Sequence, residues 1–131
     1  MDKENGNGSC CRQEETHCPV EATIRLIGGK YKSLILWKLA GGTLRFSQLK
    51  REVSCATPKM LTQQLRELEA DGLIVREVFP VVPTKVEYSL TDFGQSIRPV
   101  LEAMYDWGSG YLARQGLAAN CSMTPLSRER C

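Results

Sequence analysis

Apolar residues recur every three or four positions through the first half of this chain. They alternate over a short middle stretch and return to helical spacing near the end. The two periods predict helices, then strands, then a helix. Val20, Ile24 and Ile27 mark one face of a first helix. Pro19 suits its first position, where no N–H is needed, and Glu21 follows Cys18 at the spacing of a capping box. Gly28-Gly29 ends it. Leu34, Ile35, Trp37 and Leu39 predict a largely apolar second helix from about Lys32, stopped by Gly41-Gly42. Phe46, Leu49 and Val53, spaced i, i+3, i+7, predict a short amphipathic helix within Arg45 to Val53. Ser54-Cys55-Ala56 is a tight link. Thr57 then caps, and Pro58 opens, a longer helix that ends near Asp71-Gly72.

After Gly72 the period changes. Leu73 to Val78 reads as a strand and Val86 to Leu90 as a second, with Pro80, Pro83 and Lys85 between them. The two prolines stiffen that connection and are expected to hold Lys85 outward. Thr91 caps a last helix through Phe93, Ile97, Leu101, Met104 and Trp107, with a kink expected at Pro99. The order is helix, helix, short helix, tight turn, longer helix, hairpin, long helix. This is an α+β, mainly helical class: a winged helix-turn-helix with a two-stranded wing and a long C-terminal dimerisation helix. Residues 18–116 form the expected domain. Residues 1–17 and 117–131 are small and polar, and are expected to be flexible tails.

The helix from Pro58 carries the functional argument. Leu61, Leu65 and Leu68, at i, i+4, i+7, must face the core. On a wheel of about 100° per residue, Lys59, Thr62, Gln63 and Arg66 fall on the far side, and the first acid on that face is Glu69. Arg and Lys donate to guanine edges, and Gln pairs with adenine. The helix start, with Thr57 as cap, suits a phosphate. Arg45, Ser47 and Lys50 on the preceding helix, with Arg76 and Lys85 at the wing, suit further phosphates, which position the protein without reading sequence. Such a face is also what an ordinary solvated helix presents; the order of the neighbouring elements favours DNA.

Composition adds less. Apolar residues make up 42% and charged residues 24%, and the formal charge is +2, too mild by itself to demand a nucleic acid. No apolar run approaches the ~18 residues of a membrane span. The polar start, Met1 to Gln13, lacks the apolar stretch of a signal peptide, so a cytoplasmic protein is expected. Six cysteines in that setting point to free thiols, redox chemistry or metal, not a disulfide framework. Cys10, Cys11, His17 and Cys18 offer soft ligands, but their spacing is not that of a zinc knuckle, so neither a metal nor a cofactor is expected.

Several runs resemble the HxlR-type winged-helix regulators of the MarR-like superfamily. These are Cys18-Pro19-Val20-Glu21, Ile27-Gly28-Gly29-Lys30-Tyr31, Ile35 to Leu39, Arg45 to Leu49, Lys59 to Glu69, Asp71 to Ile74, Val82-Pro83, Val86 to Thr91, and Gly94. The resemblance spans about Cys18 to Gly116, three quarters of the chain. It implies a homodimer on a pseudo-palindromic operator in double-stranded DNA, acting as repressor or activator. Two departures stand out. Tyr31 stands where the family usually has Trp, a tolerable core change. Cys55 stands where a small or branched apolar residue is usual, and is expected to behave as a small buried hydrophobe.

Leu101, Met104, Trp107 and Tyr111 present more apolar surface than a lone terminal helix covers, so they form the expected dimer interface, joined by the first helix. The competing reading is that this helix packs back on its own domain. Cys18, at a helix N-cap, sits where the helix dipole and first-turn N–H groups favour a thiolate. Several members of the family sense oxidants or electrophiles through a cysteine at this position, which makes Cys18 the candidate redox sensor and a small electrophile or oxidant the candidate effector. The plain alternative is a helix cap. Cys121 or Cys131 of a second copy is a candidate resolving thiol.

Two rival functions remain. A cysteine enzyme wants a His and an Asn or Asp gathered in a cleft, yet the single His adjoins Cys18 at the edge of a tail. There is no Gly-rich phosphate loop or His-Glu zinc pattern, so an enzyme is not expected. A winged helix used only for protein contacts would show no salt-dependent DNA affinity.

Overall fold

The computed structural model describes residues 18–117. Helix α1 is Pro19–Ile27, α2 Lys32–Ala40, α3 Phe46–Glu52, α4 Pro58–Ala70, α5 Asp92–Gln95 and α6 Arg98–Arg114. Strands are β1 Leu44–Arg45, β2 Ile74–Phe79 and β3 Lys85–Leu90. The fold is mainly helical, with one small antiparallel sheet.

Local chemistry sets the boundaries. Thr57 accepts the Met60 N–H at 3.1 Å, and Pro58 occupies the first turn of α4. At the other end the Leu73 N–H donates to Leu68 and the Gly72 N–H to Glu69, each at 3.0 Å. This paired closure needs a left-handed residue, which Gly72 supplies at φ 80°. Thr91 then joins two ends: its hydroxyl donates to the Gly72 carbonyl at 2.6 Å and accepts from the Gly94 N–H at 2.9 Å. The start of the wing and the start of α5 are thereby held together.

The sheet has three strands where the hydrophobic pattern gave two. Leu44 and Arg45 pair with Tyr88 and Glu87, so the order is β1-β3-β2. Two residues are too short for alternation to reveal. The β2–β3 hairpin forms the wing, with Ile74 opposite Leu90 and Phe79 opposite Lys85.

The core gathers Ile35, Leu36, Trp37 and Leu39 from α2, Leu49 and Val53 around α3, Leu61, Leu65 and Leu68 from α4, and Leu73 and Ile74 at the start of the wing. The expected single last helix is two helices. Ser96 and Ile97 separate them, and Pro99 lies in the first turn of α6, where proline begins a helix without kinking it. Leu101 is only 1% exposed and belongs to this same core, so it is corrected from dimer-interface residue to core residue. Tyr105 stacks on Trp37 with ring centres 5.2 Å apart, which fixes α6 to α2. The opposite side of α6 is open: Met104, Trp107 and Tyr111 are exposed, and the last two stack on each other at 5.9 Å.

Candidate nucleic-acid interface

Helix α3, the turn through Cys55 and helix α4 form the helix-turn-helix, with the wing beside it. Leu61 and Leu68 at 0% exposure and Leu65 at 2% pull one side of α4 into the core. The other side is thereby aimed outward: Lys59, Gln63 and Arg66 are exposed and Thr62 is half-buried. Thr57 and Pro58 sit exposed at the leading end, with the Thr57 oxygen committed to the Met60 N–H. Arg45, Ser47 and Lys50 are exposed on α3 and just before it.

A polar notch of ≈ 270 Å³ separates α4 from the wing. It is lined by Thr62, Leu65, Arg66, Glu69, Arg76 and Tyr88. Arg76 lies 3.7 Å from Glu69, so the wing arginine leans against α4. Burial pushes the Tyr88 phenol up, and Arg76 and Arg66 partly oppose the shift. Lys85 departs from expectation. It opens β3, lies over the Phe79 ring at 5.0 Å and pairs with Glu87 at 3.4 Å. The prolines do not throw it outward; the aromatic and the acid hold it along the wing. The tip is apolar instead, with Val82 fully exposed.

Three contacts from Tyr31 and Lys32 brace α4 and the turn before it, and spacing along the chain revealed none of them. The Tyr31 hydroxyl donates to the Cys55 carbonyl at 3.2 Å, and the Tyr31 N–H donates to Gln64 Oε1 at 3.2 Å. Lys32, almost completely buried, pairs with Glu67 at 2.8 Å. Gly29 permits this close approach: a Cβ there would fall 2.5 Å from Gln64 Oε1 and 2.8 Å from Lys32 Cδ. Tyr31 is thus a core ring with a polar task, not merely a tolerated substitute. Lys30, which the sequence reading did not single out as a contact, borders the same pocket as Lys59 and Gln63.

Glu67 corrects the helical wheel. Its other oxygen accepts the Gln63 Nε2–H at 2.8 Å, so an acid reaches the outward face before Glu69. The Lys32 and Gln63 hydrogen bonds and the Lys32 charge hold the Glu67 carboxyl below the ordinary range.

The cysteines also depart from expectation. Cys55 is exposed, not a buried hydrophobe. Cys18 is half-buried at the N-cap of α1, and its side chain makes no capping hydrogen bond to the helix, so the expected capping box is absent. Cys10, Cys11, His17, Cys121 and Cys131 lie outside the described residues, as do the expected tails apart from Leu117. Among the described residues there is no group of metal-ligating side chains, and no helix is long and apolar enough to cross a membrane.

An outward polar face on a core-anchored second helix, with basic residues on the helix before it and a wing beside it, defines the winged helix-turn-helix class. Within that class, residues 26–116 match the model of the HxlR-like helix-turn-helix family. The chain belongs to that family. It is 52% identical over 97 residues to the HTH-type transcriptional regulator YdeP of Bacillus subtilis (strain 168), covering 74% of this chain and 76% of that one. The crystal structure of the HTH-type transcriptional regulator ytcD superposes with a TM-score of 0.70 at 50% identity, covering 72% and 97% of the two chains. The redox regulator HypR in its oxidized form superposes with a TM-score of 0.68 at 48% identity, covering 71% and 96%.

Proposed function

We propose that this chain is a DNA-binding transcriptional regulator that acts as a homodimer on a pseudo-palindromic operator. The observation that carries the reading is the outward face of α4: Lys59, Gln63 and Arg66 project from a helix whose other side is locked by three buried leucines. Lys59, Thr62, Gln63 and Arg66 face the base edges, and Thr57 and Pro58 lead the helix into the groove. Arg45, Ser47, Lys50 and Arg76 meet phosphates. Two open apolar surfaces supply the dimer: Val20 and Ile24 on α1, and Met104, Trp107 and Tyr111 on α6. A twofold pair would present two reading helices about 34 Å apart, one turn of DNA.

Oxidants or electrophiles are the proposed effectors, acting at Cys18. The thiol stands at the positive end of α1, whose exposed residues belong to the proposed interface, so a change there reaches the spacing of the reading helices. Likeness to a redox regulator supports this reading.

A gel shift on the DNA upstream of the chain's own gene, in reductant and then with diamide, tests both parts. A shift in reductant that diamide abolishes, and that persists in Cys18→Ser, is the expected result. A shift indifferent to diamide refutes the thiol switch alone. No shift on any upstream fragment at low salt refutes the DNA reading and favours a protein-contact role.

A further inference from the structure

We infer that Glu67, clamped by the buried Lys32, fixes the amide of Gln63 in the one orientation that reads adenine. Lys32 Nζ holds one oxygen of Glu67 at 2.8 Å, and the other accepts Gln63 Nε2–H at 2.8 Å. Three side chains from two helices therefore form one line running from the protein interior to the reading face. This inference rests on α4 being the DNA-reading helix.

The chemistry determines which way the amide points. A carboxylate only accepts hydrogen bonds, so it must face the NH2 end of Gln63. Lys32 and Gln63 keep the Glu67 carboxyl below the ordinary range, so it is an anion at neutral pH. One N–H of Gln63 is then spent. The carbonyl oxygen and the second N–H remain, and they match the N6 donor and N7 acceptor of adenine in the major groove. An untethered glutamine presents either end, and it loses rotamer freedom when it binds. Glu67 removes both disadvantages before DNA arrives.

Lys32 matters because Glu67 is 40% exposed on its side chain, and such a carboxylate would otherwise swing into water. Lys32, 8% exposed on its side chain, sits at the first turn of α2 and cannot follow it. The ammonium itself needs the partner, since a buried unpaired charge is costly. Each side chain therefore holds the other in place. Gln63 is the residue that touches the base; Glu67 and Lys32 are positioning residues.

The test is a binding series on the operator, with all four bases at each pair. Gln63→Ala first identifies the pair at which discrimination collapses. Glu67→Gln should lose about tenfold of discrimination at that same pair, because an amide partner permits either orientation of Gln63. Its affinity for non-specific DNA should stay level or rise, since one acid has left a face turned towards phosphates. Lys32→Met should repeat the loss of discrimination, and Lys32→Arg should restore it. A structural role for the pair would instead lower affinity for all sequences together. That pattern overturns the inference, as does unchanged discrimination in both Glu67→Gln and Lys32→Met. Should either variant fail to fold, NMR of the wild-type chain decides. The two Gln63 amide protons should be widely separated in shift and slow to exchange, and a free-glutamine pattern overturns the tether. A wild-type chain that prefers no sequence refutes the DNA reading itself, while the NMR result still reports on the tether.

Discussion

Replacing Trp107 by alanine should break the proposed dimer and leave the domain folded. The indole is 74% exposed and stacks on Tyr111, itself exposed. A tryptophan buries about 200 Å² when covered, so with 74% still open it offers a partner about 150 Å². At about 25 cal/mol per Å² this surface represents about 4 kcal/mol. Association recovers only part of such an area, because ordering and imperfect desolvation offset it. A twofold interface counts the residue twice. Even a third of the figure, counted twice, is about 2.5 kcal/mol, about sixtyfold in the dimer dissociation constant. Sedimentation equilibrium across a dilution series measures that constant, and near-ultraviolet circular dichroism checks the fold. Val82→Ala, at the fully exposed wing tip, is the control and should leave association unchanged. A Trp107→Ala chain that dimerises as tightly as wild type would refute the assignment of this face. The reasoning further requires operator affinity to fall with dimerisation, since a lone domain reads one half-site.

Other outcomes follow from single contacts. Gly94→Ala places a Cβ on the Leu73 carbonyl oxygen, so it should lower stability by about 1–3 kcal/mol in urea unfolding, as overpacking does. Tyr31→Phe removes the hydroxyl that holds the Cys55 carbonyl and should cost about 1 kcal/mol. Amide exchange in the turn from Ser54 to Ala56 should quicken with it. The Glu67 carboxyl is held below its ordinary value, so its contribution to stability is complete above about pH 4.5 and is lost as pH falls through the lowered value. Glu67→Gln should therefore flatten the acid limb of a stability-against-pH curve, and an unchanged limb would contradict the Lys32 pairing.

The element order was legible because long segments of this chain bury one side each. Leu61, Leu65 and Leu68 can share a face only in a helix, and Val86, Tyr88 and Leu90 only in a strand. What escaped was short or set by distant partners. Strand β1 is two residues long, so it has no period to read. Leu101 shares its spacing with Met104 and Trp107, and that spacing does not say which of the apolar residues of α6 meet their own domain. Tyr105 decides it, by stacking on Trp37 and turning Leu101 inward and Trp107 outward.

The reading face shows the same division more sharply. The wheel correctly turned Lys59, Gln63 and Arg66 outward, because that depends only on where the leucines go. It could not show that Lys85 is drawn back over Phe79, nor that Glu67 reaches Gln63, because both depend on side chains choosing among partners. The Gly28–Lys32 connection is the best case. From sequence it is a helix stop with two glycines. Folded, it carries Tyr31 and Lys32 under α4, and Gly29 leaves room for Gln64 to pass. The segment that ends α1 thus sets the position of the helix proposed to read DNA. Any movement of α1, by dimer contact or by change at Cys18, acts first on residues that hold α4 in place. Coupling between the proposed sensor and the proposed reading face then requires no long pathway, only the four residues that join α1 to α2 and Lys32 at the start of α2.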